Sequence, residues 1–135
     1  MNSPGVGCGI VFLKEGHILL LQRKKSPEIG CWGIPGGKVD FLETAEQAVH
    51  REALEETGLY AKTMSLLGIS EQLFHDEQQH WLGVLFLAEN FSGEVQLLEP
   101  EKHAGVGWFS FQQLPNLLTL PTRHALGFLE QRGLI

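Results

Sequence analysis

The chain has 135 residues, of which 43% are hydrophobic, and it carries a formal net charge of −6 at pH 7. This composition suits one domain spanning residues 1–135 that buries its core without disulfides, and the negative charge argues against binding nucleic-acid polymers, which usually needs a basic face. Cys8 and Cys31 are the only cysteines, and without the clustered spacing of a zinc site or a disulfide framework both are expected to be reduced thiols.

The N-terminal segment predicts strands rather than a targeting sequence. Residues 1–12 lack the basic region and the apolar stretch of a signal peptide. No run in the chain approaches the roughly 20 apolar residues of a membrane span, so we expect a cytoplasmic protein without a membrane partner. Residues 6–13 and 17–22 predict two strands, and the Lys-Glu-Gly turn between them is typical of a β-hairpin.

The next segment, residues 32–38 with the sequence WGIPGGK, predicts a short extended run that enters a turn. Pro35 fixes its own φ and disfavours helical backbone in the residue before it. The two glycines that follow, Gly36 and Gly37, allow the backbone to approach a ligand closely.

Two cations near this turn are candidates for binding phosphate. Arg23 ends the second predicted strand, and Lys38 follows the two glycines directly. A guanidinium can donate two hydrogen bonds to phosphate oxygens, and an ammonium can bind them as a point charge. The alternative for both residues is a solvated cation at the end of a strand.

A helix is predicted over residues 45–57. Thr44 is a good N-cap, and Gln47, three residues later, completes a capping box. Gly58 supplies the C-terminal stop, because glycine readily adopts the left-handed conformation that ends helices.

Three glutamates of this helix, Glu52, Glu55 and Glu56, are spaced i, i+3 and i+4 and therefore share one face. The small apolar residues of the helix lie on the same face, so the carboxylates are predicted where the helix packs. Such a group is destabilising unless a cation lies between its members. Oxygen ligands that leave waters on the ion suit Mg²⁺ or Mn²⁺. The alternative, a solvated acidic face, normally interleaves lysines, and residues 45–58 contain none.

The rest of the chain predicts three strands and a helical C-terminus. The strands are residues 63–74, 80–88 and 105–109, of which the first two flank a polar turn at residues 75–79. A small helical turn is predicted to begin at residues 111–114, and an amphipathic helix over residues 122–132, entered through Pro121. This order of strands, helix, strands and helix favours an α/β fold with a mixed sheet between helices.

The segment GKVDFLETAEQAVHREALEETGL matches the pattern G-x5-E-x7-R-E-U-x-E-E-x-G-U at every position, where U is apolar. It resembles the Nudix box of the MutT/Nudix hydrolases. Seven positions are fixed as glycine or one charged residue, each used at roughly 6 to 7%, so a chance match is well below about one in 10⁵. The seven are Gly37, Glu43, Arg51, Glu52, Glu55, Glu56 and Gly58.

The resemblance implies the Nudix α/β/α sandwich and an enzyme that positions divalent ions on a diphosphate. It implies that Glu52 and Glu56 are metal ligands, that Glu55 contributes, and that the carbonyl of Gly37 helps to bind the metal. The general base would be one of these three glutamates or a carboxylate from a later loop.

The resemblance also implies a structural ion pair, in which Glu43 and Arg51 brace the glycine loop against the helix. Residues 98–102, with the sequence LEPEK, look like the loop that lies over the active site in the nucleoside triphosphate branch. Glu101 or Glu99 would then face the substrate as an extra carboxylate, and the alternative is an exposed acidic loop. Three aromatic residues could stack a base or pack in the core, namely Phe74, Trp81 and Trp108.

Markers of other branches are missing. The ADP-ribose branch typically has a proline where this chain has His75, and the dinucleoside polyphosphate branch prefers a tyrosine nearby, whereas the only tyrosine here is Tyr60. No coenzyme A signature is present. The chain therefore resembles the small MutT-like pyrophosphohydrolases, which cleave a nucleoside triphosphate, often a damaged one, to the monophosphate and pyrophosphate.

Two alternatives stay open for the function. One is hydrolysis of ADP-ribose or another nucleoside diphosphate linked to a sugar. The other is a non-catalytic Nudix domain that only binds a nucleotide, against which the three retained glutamates argue. In each case the predicted partner is a small nucleotide, and a homodimer is left open.

Overall fold

A mixed sheet of seven strands lies between two helices in the computed structural model, which describes residues 1–135. The strands are β1 (Gly5–Lys14), β2 (His17–Arg23), β3 (Trp32–Gly33), β4 (Gly36–Lys38), β5 (Tyr60–Phe74), β6 (Gln79–Ser92) and β7 (His103–Ser110). The helices are α1 (Ala45–Thr57) and α2 (Leu120–Gln131). Neither helix is long and apolar enough to cross a membrane.

Strand β1 organises the sheet. Its residues 5–12 pair in parallel with β6, its residues 7–9 pair antiparallel with β4, and its last two residues pair antiparallel with β2. Strand β5 pairs with β6, while β3 and β7 both pair with β2. The one parallel pair among antiparallel ones makes the sheet mixed, which confirms the prediction.

Each face of the sheet packs on one helix, because successive residues of a strand point to opposite faces. Ile10 and Phe12 of β1 lie in a buried cluster with α1, whereas Val11 lies in a second cluster with α2. Helix α1 contributes Ala48, Val49 and Ala53 to the first cluster, and α2 contributes Ala125 and Leu129 to the second. The predicted α/β/α sandwich is thereby confirmed.

Local interactions set the ends of α1 where the sequence predicts them. The Thr44 side-chain oxygen accepts a hydrogen bond from the backbone N–H of Gln47 at 3.0 Å, and the Gln47 side-chain oxygen accepts one from the N–H of Thr44 at 3.0 Å. Gly58 ends the helix with φ of 80°, a left-handed conformation.

Several predicted boundaries are wrong. Strands β5 and β6 pair along their whole lengths, from Tyr60 opposite Ser92 to Phe74 opposite Gln79, so both extend beyond the predicted ranges. Residues 111–114 form no helix, because only a turn follows β7, in which Gln113 N–H donates to the carbonyl of Ser110. Helix α2 starts two residues before the predicted start, since a proline fits the first turn of a helix.

We expect Leu129→Ala to lower the free energy of unfolding by roughly 2 to 5 kcal/mol, because the Leu129 side chain is fully buried between α2 and the sheet. Urea denaturation measures this change. Leu117→Ala is the matched control, since that leucine is 62% exposed, and its effect should stay within about 0.5 kcal/mol. Equal losses in the two variants would contradict the assigned packing of α2.

Candidate metal and phosphate site

The two glycines of β4 lie too close to their neighbours to carry side chains. A Cβ atom at Gly36 would overlap the backbone carbonyl of Cys8, and one at Gly37 would lie 2.5 Å from the carboxyl carbon of Glu52. The first neighbour is backbone and cannot move cheaply, whereas the second is the end of a flexible side chain. Gly36 is therefore required by strand pairing, and Gly37 is required by the position of the Glu52 carboxylate.

Arg51 of α1 connects the glycine strand, the following loop and the helix. Its guanidinium donates to both carboxylate oxygens of Glu43, at 2.8 and 3.0 Å, which is the bidentate geometry of a strong pair. It also donates to the carbonyl of Lys38 at 3.1 Å and to Glu52 Oε1 at 2.9 Å. The sequence predicts the pairing of Glu43 with Arg51, and the structure contains it.

Arg51 also sets the ionisation of its partner. Hydrogen bonds from its guanidinium, helped by the backbone N–H of Asp40, lower the pKa of Glu43 to about 2. In turn, the carboxylates of Glu43 and Glu52 raise the pKa of Arg51, against the effect of its burial. The brace between loop and helix is therefore a fully charged pair at neutral pH.

The three glutamates of α1 differ in exposure. Glu52 and Glu56 are only 9% and 4% exposed, whereas the side chain of Glu55 is 46% exposed and lies 3.4 Å from Arg51. The backbone N–H of Gly36 donates to Glu56 Oε1 at 2.9 Å. This hydrogen bond ties the innermost carboxylate to the glycine strand.

Burial changes the proton affinity of both inner glutamates. It raises the pKa of Glu56 well above its usual range, and the nearby charges of Glu52 and Glu99 add to the increase. Burial also raises the pKa of Glu52, although the hydrogen bond from Arg51 opposes it. Ionised carboxylates in such surroundings are costly unless a cation compensates them.

Two further side chains lie beside Glu56, namely Glu99 from the segment before β7 and His103, the first residue of β7. Single ligand atoms of Glu56, Glu99 and His103 all lie within 4.8 Å of one another. His103 Nε2 is 3.6 Å from Glu56 Oε2, beyond hydrogen-bonding distance, and burial lowers the pKa of His103, which favours the neutral imidazole. Glu99 Oε1 and His103 Nδ1 are buried without a hydrogen-bond partner.

These residues fit a divalent cation. Carboxylate oxygens are the ligands that Mg²⁺ and Mn²⁺ prefer, and a neutral imidazole can also bind a transition metal. Glu99 Oε1, which is buried without a partner, would gain one from an ion or its waters. Of the two candidate loop carboxylates, Glu99 belongs to this group, whereas Glu101 is exposed and lies outside it.

His103 is a site residue that the sequence analysis missed. It lies just beyond the LEPEK loop, but it is one of six histidines, and its distance of 47 positions from Glu56 hides their contact. Only the pairing of β7 with β2 brings it to the helix.

A cavity of about 260 Å³ opens beside Glu56. Arg23 and Lys38 line it, as the hypothesis of phosphate binding requires. Arg23 Nε donates to the carbonyl of Pro27 at 2.7 Å, and its Nη2 donates to that of Ser26 at 3.3 Å. These bonds hold the loop after β2 and leave Nη1 of Arg23 without a partner in the chain.

Of the three aromatic residues considered for stacking, only Trp81 lines this cavity. Trp108 stacks on Phe91 with ring centroids 6.1 Å apart and packs against the cluster that holds α1. Phe74 lies at the end of β5 and does not line the cavity. Trp108 therefore packs in the core, and stacking on a base stays a prediction for Trp81.

Residues 1–128 match the family model described as NUDIX domain. Among curated relatives, the "ADP-ribose pyrophosphatase" of Methanocaldococcus jannaschii is 38% identical over 114 residues, which are 84% of this chain and 66% of that protein. The "Putative 8-oxo-dGTP diphosphatase" of Bacillus subtilis is 34% identical over 118 residues, 87% of this chain and 73% of that protein. The chain spans only 40% of a third relative, the "NAD-capped RNA hydrolase NudC" of Haemophilus influenzae, which is 41% identical over 112 residues, 80% of this chain.

A solved structure agrees along nearly the whole chain. The MutT NUDIX hydrolase from Burkholderia pseudomallei superposes with a TM-score of 0.91 at 44% sequence identity, and the match covers 95% of this chain and 99% of that one.

We expect Gly37→Ala to weaken the binding of Mn²⁺ while leaving the protein folded, because the new methyl group would displace the carboxylate of Glu52. A loss of roughly tenfold or more in affinity, measured by calorimetry or by electron paramagnetic resonance, is the expected result. Gly127→Ala is the control, since a Cβ there meets nothing within 4 Å. Unchanged Mn²⁺ affinity in Gly37→Ala would contradict the placement of Glu52 at the metal site.

We expect the ion pair of Glu43 with Arg51 to stabilise the folded chain at neutral pH and to lose this effect in acid. The pKa of Glu43 is about 2 in the folded chain and roughly 4.3 when unfolded, so the stabilisation is complete above about pH 5 and is lost as the pH falls toward 2. The urea midpoint of Glu43→Gln should therefore lie below that of the parent at pH 7 and approach it at low pH.

Glu89→Gln is the control for this measurement, since it removes the same charge from an exposed carboxylate that makes no ion pair. If the urea midpoint of Glu43→Gln stays below that of the parent by the same amount from pH 7 to pH 3, the charged pair is not the cause of the difference.

Proposed function

The chain belongs to the NUDIX domain family, and we propose that it hydrolyses a nucleoside triphosphate, normal or damaged, to the nucleoside monophosphate and pyrophosphate. Mg²⁺ is the proposed cofactor, and Mn²⁺ is able to replace it. The observation that carries this proposal is the burial of Glu52 and Glu56 beside the glycine strand, with Glu56 lining the same cavity as Arg23 and Lys38.

The size of the cavity favours a single nucleotide as substrate. Its volume of about 260 Å³ is near the lower end of small-molecule sites, which span roughly 300 to 1,000 Å³. The names of the Bacillus subtilis and Burkholderia pseudomallei proteins agree with a MutT-like reaction. The name of the Methanocaldococcus jannaschii relative supports the second candidate, hydrolysis of ADP-ribose or a similar nucleoside diphosphate sugar.

The carboxylates and the glycine strand would hold the cofactor. A divalent cation bound by Glu52, Glu56 and the carbonyl of Gly37 would neutralise charge on the phosphate oxygens and lower the pKa of a coordinated water. Glu55 contributes from the exposed edge of the same helix face. Arg51 keeps the Glu52 carboxylate in place through their 2.9 Å hydrogen bond.

Other side chains would bind the phosphates and receive the proton. Lys38 and Arg23 line the cavity, and Nη1 of Arg23 makes no hydrogen bond within the chain, so both side chains are able to bind phosphate oxygens. Glu99 has a buried oxygen with no partner in the chain, and we assign it as the acceptor of the proton from the attacking water. Glu101 is exposed and lies outside this cluster, so it is the weaker candidate.

A substrate panel tests the proposal. The purified protein with Mg²⁺ is assayed for release of pyrophosphate, orthophosphate and nucleoside monophosphate from normal and oxidised triphosphates, ADP-ribose, nucleotide sugars and dinucleoside polyphosphates. Pyrophosphate and monophosphate from the triphosphates are the expected products. Preferential cleavage of ADP-ribose would favour the second candidate, and metal-dependent binding without turnover would favour a non-catalytic domain.

We expect Glu52→Gln and Glu56→Gln each to lower kcat by roughly 10²- to 10³-fold, in line with the loss of one electrostatic element of a site. Steady-state release of pyrophosphate measures this, and circular dichroism checks that the variants fold. Glu46→Gln, an exposed change in the first turn of the same helix, should keep the parent rate. Turnover at the parent rate in both site variants would refute the assignment.

A further inference from the structure

Gln72 of β5 occupies an unusual position in the wall of the cavity. It is only 9% exposed, and it lines the cavity near its opposite strand partner, Trp81. The amide of Gln72 lies over the backbone of β6, where a Cβ at Gly83 would come within 2.7 Å of Gln72 Nε2. The missing side chain at Gly83 therefore makes room for this amide.

Two hydrogen bonds behind Gln72 connect its amide to α2. Gln72 Nε2 donates to the hydroxyl oxygen of Ser70 at 3.2 Å, and that fully buried hydroxyl lies 2.6 Å from Nδ1 of His124 on α2. A serine hydroxyl has one proton to donate. When Ser70 donates it to His124, its lone pairs are free to accept from Gln72 Nε2, and Gln72 Oε1 is left as an acceptor without a partner in the chain.

Glycine backbone and apolar side chains form the floor of the cavity. Alternate residues of β1, namely Gly5, Gly7 and Gly9, have no side chains, and Gly7 and Gly9 line the cavity. Gly7 pairs with Gly83 of β6, and the side chains of Ile34 and Leu85 lie over Gly9. The ring of Trp81 covers Gly5, and its indole N–H is taken by Gln79 Oε1 at 2.9 Å. The weakly polar face of a nucleobase suits such a floor.

We propose that Gln72 is a specificity-determining residue, which accepts a hydrogen bond at Oε1 from the exocyclic amino group of a nucleobase lying on this floor. Ser70 and His124 are positioning residues that hold the Gln72 amide in this orientation. The inference rests on the proposed function, because it assumes that a nucleotide occupies the cavity. A base with a carbonyl oxygen at the same place would bind less well, because that oxygen and Gln72 Oε1 are both acceptors.

The test compares bases that differ at an amino group. Calorimetry with Mg²⁺ measures the binding of three pairs of monophosphates, AMP with IMP, CMP with UMP, and GMP with IMP, and kcat/KM measures the matching triphosphates. The parent protein is expected to prefer the amino member of at least one pair by about tenfold, the upper range for one hydrogen bond. Gln72→Met should reduce that ratio to within about twofold, and Gln72→Glu, which retains an acceptor, should preserve a preference.

The two positioning residues are tested by the same ratio. His124→Leu removes the acceptor for Ser70 and should lower the preference for the amino base, whereas His124→Asn retains an acceptor near the Nδ1 position and should keep it. A purely structural role of His124 would change the melting temperature without changing the ratio. Gln113→Met, on the exposed turn after β7, is the control that should change neither quantity.

The outcomes separate this inference from the proposed function. Hydrolysis of triphosphates with no discrimination within any pair, or a ratio that Gln72→Met leaves unchanged, overturns the inference and leaves the function standing. Discrimination in binding without hydrolysis supports the inference and overturns the function. If Gln72→Met does not fold, the two His124 variants decide, and an unchanged ratio in His124→Leu overturns the inference, because Ser70 and His124 would then not orient the Gln72 amide.

Discussion

The contact between the glycine strand and the buried carboxylates of α1 is the constraint on which the rest of the site depends. Glu56 accepts a hydrogen bond from Gly36 N–H at 2.9 Å, and Glu52 lies where any side chain at Gly37 would be. The helix can bring these carboxylates so close only because β4 is made of glycine at both positions. The same closeness leaves two acidic groups largely out of water, which is unfavourable without a compensating cation.

Arg51 compensates the negative charge of some of the carboxylates near the site. Its guanidinium is bound by Glu43, Glu52 and the carbonyl of Lys38. One cation of the chain therefore joins the loop, the strand and the helix, but it makes no ion pair with Glu56, which lies beside Glu99 and His103. The innermost carboxylate thus lacks a cationic partner within the chain, and a divalent ion is the natural one.

Much of the fold and part of the site could be predicted from the sequence, because their causes are local. The capping box of α1, its terminal glycine and the i, i+3, i+4 spacing of the glutamates involve residues within one or two helical turns. The order of strands and helices was enough to predict the mixed sheet. The strand ends were less predictable. Strands β5 and β6 extend as far as they pair with each other, and the residues of one strand do not show where its partner ends.

The parts that escaped prediction depend on tertiary contacts. His103 reaches Glu56 through the pairing of β7 with β2, and Gln72 is oriented through Ser70 by His124, 54 positions along the chain from that serine. Neither relation leaves a periodic pattern in the sequence. Glu101 and Glu99 have the same chemical character and differ by two positions, so only the path of the loop decides which of them lies beside the helix.

The central claim is that the buried glutamates of α1 form a site for a divalent cation. Anomalous diffraction from crystals soaked in Mn²⁺ tests it most directly, since the signal locates the metal without reference to activity. We expect an anomalous peak in contact with the carboxylates of Glu52 and Glu56 and close to the carbonyl of Gly37. Full Mn²⁺ occupancy elsewhere on the protein, with no peak at these carboxylates, would contradict it.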